Sequence, residues 1–324
     1  MYVYLLALFL ASGAFSYAVL RALIPRLRKF GIVGKDMSKP GSPEIPEMGG
    51  IGIVSGFALG VLLAVFFSTF LGFSFNTDFV MGALASVFIL AFIGFVDDLL
   101  DMPQAVKAFL PLAAGIPLIA LKAAGSTAMH LPFLGTVDLG AFYLFALIPI
   151  GMAVASNLTN MLAGFNGMEA GMGFVALLAA ALVALSVQST EALVLYVPLL
   201  GALAGFLLLN FYPAKVFPGD VGTLVIGATL AAGAIIGNFE SIAAMLMALY
   251  MLDFFIKILN GFPKTFGSLR EGKLYAPDGR IRGLVHVPMK ILNGVRELDL
   301  VLIFIIGQAL VGIGVLLLFL VLHV

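Results

Sequence analysis

The stretch MGALASVFILAFIGFVDDLLDMP (Met81–Pro103) joins a charge-free run, Met81 to Gly94, to three carboxylates: Asp97, Asp98 and Asp101. A carboxylate in hydrocarbon is costly, so a group of them at the end of an apolar run must be solvated, paired or holding a cation. If 97–101 continue the helix, Asp97 and Asp101 stand four apart and Asp98 and Asp101 three apart, along one side. Like charges that close repel unless something positive lies between them. Lys107 is the nearest downstream positive charge.

The rest of the chain sets the context. Hydrophobic residues make up 62% of its 324 residues and charged residues only 10%. A water-soluble chain of this size cannot hide so much apolar surface. The composition therefore predicts an all-α, polytopic integral membrane protein, read as one transmembrane catalytic domain over 1–324. A span takes about 20 mostly apolar residues, which yields about ten: 1–23, 50–71, 79–96, 104–124, 140–156, 171–188, 192–210, 222–237, 241–259 and 299–322. Pro111, Pro117 and Pro149 interrupt the fourth and fifth. The first segment lacks a basic leader and a small-residue cleavage site, so it is expected to be retained. Trp is absent, leaving Tyr and Phe as interfacial anchors. Cys is absent too, which excludes disulfides and thiolate metal sites.

Charge distribution orients these spans. Arg21, Arg26, Arg28 and Lys29 follow the first span, which predicts an outside N-terminus. Alternation then makes 24–49, 97–103, 157–170, 211–221 and the long loop 260–298 cytosolic, with both termini outside. Of the 17 Lys and Arg residues, all but Lys122 fall on the cytosolic side or at the helix ends there. The polar motifs share that face: DDLLD (97–101), NLTNMLAGFNGMEAG (157–171) and FPGDVGTL (217–224). The small-xxx-small segments GFALG (56–60), GALAG (201–205) and GAIIG (233–237) predict close helix contacts.

The motifs carry a consistent chemistry. Asn157, Asn160 and Asn166 offer neutral oxygen ligands and amide donors beside Gly164, Gly167 and Gly171, which permit tight turns and close approach of backbone. Asp220 follows Pro218-Gly219 at the start of an apolar run, where it can cap a helix, hold a metal, or both. The loop 260–298 carries Lys264, Arg270, Lys273, Arg280, Arg282, Lys290, Arg296 and His286, a set suited to anionic lipid or to phosphate. Hard oxygen donors without a Cys or His cluster suggest Mg²⁺ or Mn²⁺ rather than zinc. These residues together point to an enzyme handling a phosphate or diphosphate at one membrane face, and nothing in them asks for nucleic acid. The rival class is a transporter of a phosphorylated solute, whose polar groups belong near the bilayer centre rather than at one surface.

PEMGG (46–50), FVDDLLD (95–101), NLTNMLAGFNGMEAG (157–171) and FPGDVG (217–222), in that order across most of the chain, resemble the polyprenyl-phosphate N-acetylhexosamine-1-phosphate transferases. NMLAGFNGMEAG is most similar to the branch that makes dolichyl-diphosphate N-acetylglucosamine. The resemblance implies transfer of a sugar-1-phosphate from a UDP-sugar to a polyprenyl phosphate, with release of UMP. N-acetylglucosamine and a dolichyl-type acceptor are the first expectation; another UDP-sugar or undecaprenyl phosphate is the alternative. It implies Mg²⁺ held by Asn160 and Asp220, and a uridine turn at Gly164 and Asn166 with Phe217 stacked on uracil. It also implies Lys107 on phosphate, Asp97 and Asp98 beside the acceptor phosphate, and Glu47 of PEMGG in substrate binding. A homodimer is among the assemblies it implies. In the last loop the branch has an Arg-His-Arg cluster, whereas this chain reads RIRGLVHVPMK (280–290), leaving Arg282 and His286 as candidate diphosphate contacts.

Overall fold

The computed structural model describes residues 1–131 and 135–322. Its long elements are helices: α1 (Tyr2–Lys29), α2 (Gly50–Leu71), α3 (Thr77–Leu100), α4 (Gln104–Ala120), α5 (Gly140–Met161), α6 (Met168–Ser186), α7 (Thr190–Asn210), α8 (Gly219–Gly237), α9 (Glu240–Leu246), α10 (Ala248–Leu259), a short α11 (His286–Ile291) and α12 (Glu297–Leu322). The strands form two-stranded antiparallel ribbons: Val33–Lys35 with Glu44–Pro46, Ala128–Leu131 with Gly135–Asp138, and Ser268–Arg270 with Lys273–Tyr275.

Among the described residues, 8 helices are long and apolar enough to cross a membrane, or 9 if the α9–α10 pair, bent by 63°, counts as one broken span. The chain is thus a polytopic, all-α membrane protein. The expected fourth span is the difference. Pro111 and Pro117 break 104–120 into an α-helical turn, a 3₁₀ stretch and a second α turn. With six residues in the 3₁₀ stretch rising about 2.0 Å each and the rest about 1.5 Å, α4 reaches about 28 Å, just under a hydrocarbon core of about 30 Å. It still runs from the end of α3 bearing the carboxylates back along α3, where Leu121 and Pro117 pack on Gly82.

The small residues act where the sequence places them. A methyl on Gly13 would lie 2.9 Å from the Gly201 carbonyl, and Gly205 abuts the Gly13 carbonyl, so α1 and α7 touch through their backbones. Gly56 and Gly60 of α2 meet Ser12, Ser16 and Pro198. Around this frame α8 is almost wholly buried, with α3 and α5 against it. A methyl on Gly94 would come within 2.6 Å of the Asp220 backbone. Gly227 gives α5 the same close approach at Ala155. Two glycines therefore bring the carboxylate end of α3 and the Asn-bearing end of α5 to the first turn of α8.

Candidate active site

One cavity of about 1500 Å³ opens where these helix ends meet. Its wall includes Lys107 of α4, Asn157 and Asn160 of α5, Gly164 and Phe165 of the following loop, Glu169 of α6, Phe217, Asp220 and Thr223 around the start of α8, and Lys257 of α10. Gly34 to Met37 and Glu47, from the 33–46 hairpin and its exit, complete it.

Lys107 is central. Its ammonium lies 2.8 Å from Asp97 Oδ1, 3.5 Å from Asp101 Oδ1 and 4.0 Å from Asp220 Oδ2. Asp101 reaches it because α3 ends at Leu100 and Asp101 turns left-handed (φ 47°), away from the helical register. The backbone N–H of Met102 donates to Asp97 (2.9 Å). Lys107 and the carboxylates thus answer the repulsion that the sequence posed. Asp97 stands behind Lys107 and does not line the cavity.

Asp98 is used differently. It accepts hydrogen bonds from the backbone N–H of Asp220 (2.7 Å) and of Val221 (3.2 Å). It therefore caps α8 from another helix, in the manner of an N-cap carboxylate. Gly219 (φ +67°) makes room: a methyl there would strike the Asp98 carboxylate. Asp98 does not line the cavity; it fixes where Asp220 stands.

Asn160 and Asp220 are joined through Thr223, one turn into α8, whose hydroxyl donates to Asn160 Oδ1 (2.9 Å). Among the described residues no group of three or more His, Cys, Asp or Glu forms a ready metal cage. A carboxylate and an amide oxygen at the cavity wall still fit Mg²⁺, which keeps waters and takes one or two carboxylates plus substrate phosphates. The Lys107 ammonium already holds part of that negative field in place.

The Asn-Gly loop departs from expectation. Asn166 is buried and does not line the cavity. Its amide donates to Asp36 Oδ2 (3.0 Å) and Glu297 Oε1 (2.5 Å), its oxygen accepts from Ala214 N–H (2.7 Å), and its own N–H donates to Glu297 (2.9 Å). Lys39 closes this knot, 2.6 Å from Asp36 and 2.8 Å from Glu297, with its ammonium over the Tyr212 ring. Burial would lower the Lys39 pKa, but hydrogen bonds to Asp36 and Glu297 hold it above its ordinary value. The side chain expected on uridine instead ties together the 33–46 hairpin, the 162–167 loop, the 211–217 turn and α12. Gly164 does line the cavity, at φ +110°, a conformation suited to glycine, and its N–H donates to Glu169 (2.6 Å). Glu47 faces the cavity, and burial raises its pKa.

Arg282 and His286 are also placed elsewhere. Arg282 pairs with Asp278 (3.1 Å). His286 is fully buried; its Nδ1 accepts the Arg282 N–H (3.1 Å) and its Nε2 faces the Phe266 carbonyl (3.4 Å). Burial lowers the His286 pKa, in keeping with a neutral ring bridging two stretches of one loop. Lys257 and Glu169 line the cavity without having been singled out from the sequence. A signal for the first existed: LDFFIK (252–257) sets Asp253 and Lys257 at i,i+4 in an apolar helix.

The glycosyl transferase family 4 profile matches residues 80–238. A protein of Saccharolobus solfataricus provisionally named UDP-N-acetylglucosamine–dolichyl-phosphate N-acetylglucosaminephosphotransferase is 35% identical over 298 residues, 91% of this chain and 90% of the relative. The enzyme of that name from Dictyostelium discoideum is 26% identical over 94% of this chain and 86% of its own. A phospho-N-acetylmuramoyl-pentapeptide-transferase of Halalkalibacterium halodurans is 35% identical, but over only 36% of each chain.

Proposed function

The chain belongs to glycosyl transferase family 4, and on the chemistry of its cavity we propose that it transfers N-acetylglucosamine-1-phosphate from UDP-N-acetylglucosamine to a dolichyl-type polyprenyl phosphate, releasing UMP. The relatives that span nearly the whole chain are named for this reaction. The observation that carries the reading is the mixed chemistry of the cavity wall. It combines the polar set Lys107, Asp220 and Asn160 with the apolar set Ile150, Val154 and Phe255, which are 47%, 48% and 58% exposed. A water-borne diphosphate suits the first, and a prenyl chain arriving from the bilayer suits the second.

In this reading an oxygen of the lipid phosphate attacks the β-phosphorus of the donor. The bond from that phosphorus to the oxygen bridging the two phosphates breaks, and UMP departs. The acceptor needs little help from a base, because a phosphate monoester has a second pKa of about 6 and is mostly ionised near neutrality. Lys107 draws the two anions together, and Asp97 and Asp101 keep its ammonium in position. With Asp97 already engaged by Lys107 and the Met102 N–H, direct displacement is favoured over an aspartyl-phosphate route. Phe217 offers a ring for the uracil and Gly164 a close backbone approach. Asp220 and Asn160 would hold Mg²⁺ or Mn²⁺, which when bound neutralises charge on the diphosphate. The positive-inside pattern supports a cytosolic position for this end of the bundle and an outside position for both termini, α4 serving as the tenth crossing.

The test is UMP release by purified protein in detergent with UDP-N-acetylglucosamine, dolichyl phosphate and Mg²⁺. Release that requires the lipid and stops with EDTA is expected. UDP-N-acetylgalactosamine, UDP-muramoyl-pentapeptide and undecaprenyl phosphate, tried in parallel, define the substrates. No release with any pair would overturn the reading and turn attention to transport.

A further inference from the structure

Asp253 and Lys257 are a buried ion pair on α10, and nothing described so far accounts for it. Asp253 is fully buried and Lys257 6% exposed, with 2.8 Å between ammonium and carboxylate. The pair is braced on both sides. Asp253 Oδ1 accepts the Leu284 N–H (2.7 Å), and the Lys257 ammonium donates to the carbonyl of Met161, the last residue of α5. As a clamp between α10, α5 and the last loop, such a pair is poorly chosen, because apolar residues of similar size hold helices together as well or better.

The position of Lys257 supplies another reason. It lines the cavity beside Asn160 and Gly164. An ammonium has three N–H donors; among the described residues the Met161 carbonyl accepts one, and Asp253 Oδ2 stands beside the ammonium as its ion-pair partner. The donor proposed above brings a diphosphate into this space. Arg282 and His286, the expected cations for it, do not line the cavity; of the four lysines that do, Lys107 is shared among three carboxylates, Lys35 and Lys264 are exposed, and Lys257 is buried and held in place. We propose that Lys257 contacts the diphosphate of the nucleotide donor with a remaining N–H, held in place by Asp253 and the Met161 carbonyl. This rests on the UDP-sugar reading of the same cavity.

The probes are UDP and uridine, titrated calorimetrically against the intact protein without lipid. Lys257→Met leaves Asp253 buried without its counter-charge and is expected to lower the unfolding temperature. The double variant D253N/K257M removes both charges and is expected to recover most of that loss. The assignment predicts that the refolded-stable double variant still binds UDP at least tenfold more weakly than wild type while uridine binding is unchanged. Lys257→Arg should keep part of the UDP affinity. If UDP affinity returns together with stability in the double variant, or if uridine affinity falls as far as UDP affinity, Lys257 is only structural and the assignment is overturned. If the wild-type protein binds no UDP, the donor reading itself falls, an outcome distinct from a wild type that binds UDP and a double variant that binds it equally well.

Discussion

Asn166→Asp separates the two roles open to the buried amide of the Asn-Gly loop. The exchange replaces an NH₂ by an oxygen at nearly constant volume. In the structure that NH₂ donates to Asp36 at 3.0 Å and to Glu297 at 2.5 Å. A hydrogen bond to a charged partner contributes roughly 1.5–3 kcal/mol, so losing both costs about 3–6 kcal/mol before any repulsion. The new carboxylate then faces two others with Lys39 as their shared cation. Against a net stability of about 5–15 kcal/mol this is a large fraction. At roughly 2 °C per kcal/mol for a chain this long, the melting temperature should fall by about 6 °C or more. The chain has neither Trp nor Cys, so the readout is helical circular dichroism in detergent rather than indole fluorescence or a thiol dye. Lowering the pH should restore part of the loss by protonating the added carboxyl. A variant that melts like wild type yet no longer binds uridine would refute the reasoning and return Asn166 to the nucleobase.

Asp98→Ala removes the cap on α8 and should lower stability by about 1–2 kcal/mol and slow UMP release, whereas Asp98→Asn, still able to accept the Asp220 N–H, should keep much of both; an Asn variant with wild-type melting but no turnover would place Asp98 in the chemistry. His286 is buried with a lowered pKa, so below its ordinary value of 6.5 the unfolded chain takes up a proton that the folded chain resists. Stability should therefore fall as pH drops from about 6.5, and His286→Asn should flatten that slope; an unchanged slope would remove His286 as its source.

Much of this was legible in the sequence because it is local. Apolar runs and the Lys and Arg distribution mark the spans, and DDLLD, the Asn-Gly loop and FPGD each carry their chemistry in a few residues. Lys107, Asn160, Gly164, Phe217, Asp220 and Glu47 all line one cavity. What escaped is long-range. Asn166 reads as a ligand residue until its partners are known, and Asp36 and Glu297 lie 130 and 131 residues away. Asp98 is indistinguishable from Asp97 in sequence; only the crossing of α3 over α8 at Gly94 makes one a cap and leaves the other on Lys107. Arg282 and His286 looked like phosphate ligands because a basic loop has the right charge, but charge does not say whether a loop turns its side chains on itself. The fourth expected span is the one that does not form a single long helix, because Pro111 and Pro117 break 104–120 into three short pieces, an effect of local geometry that hydropathy does not register.

The central claim is that a phosphorus atom moves with the sugar. Purified protein given UDP-N-acetylglucosamine labelled with ³²P in the β-phosphate, dolichyl phosphate and Mg²⁺ should carry the label into the organic phase as a lipid diphosphate, matched mole for mole by UMP in water. Label retained in UDP while the sugar appears on lipid would mean plain glycosyl transfer, and would contradict the account.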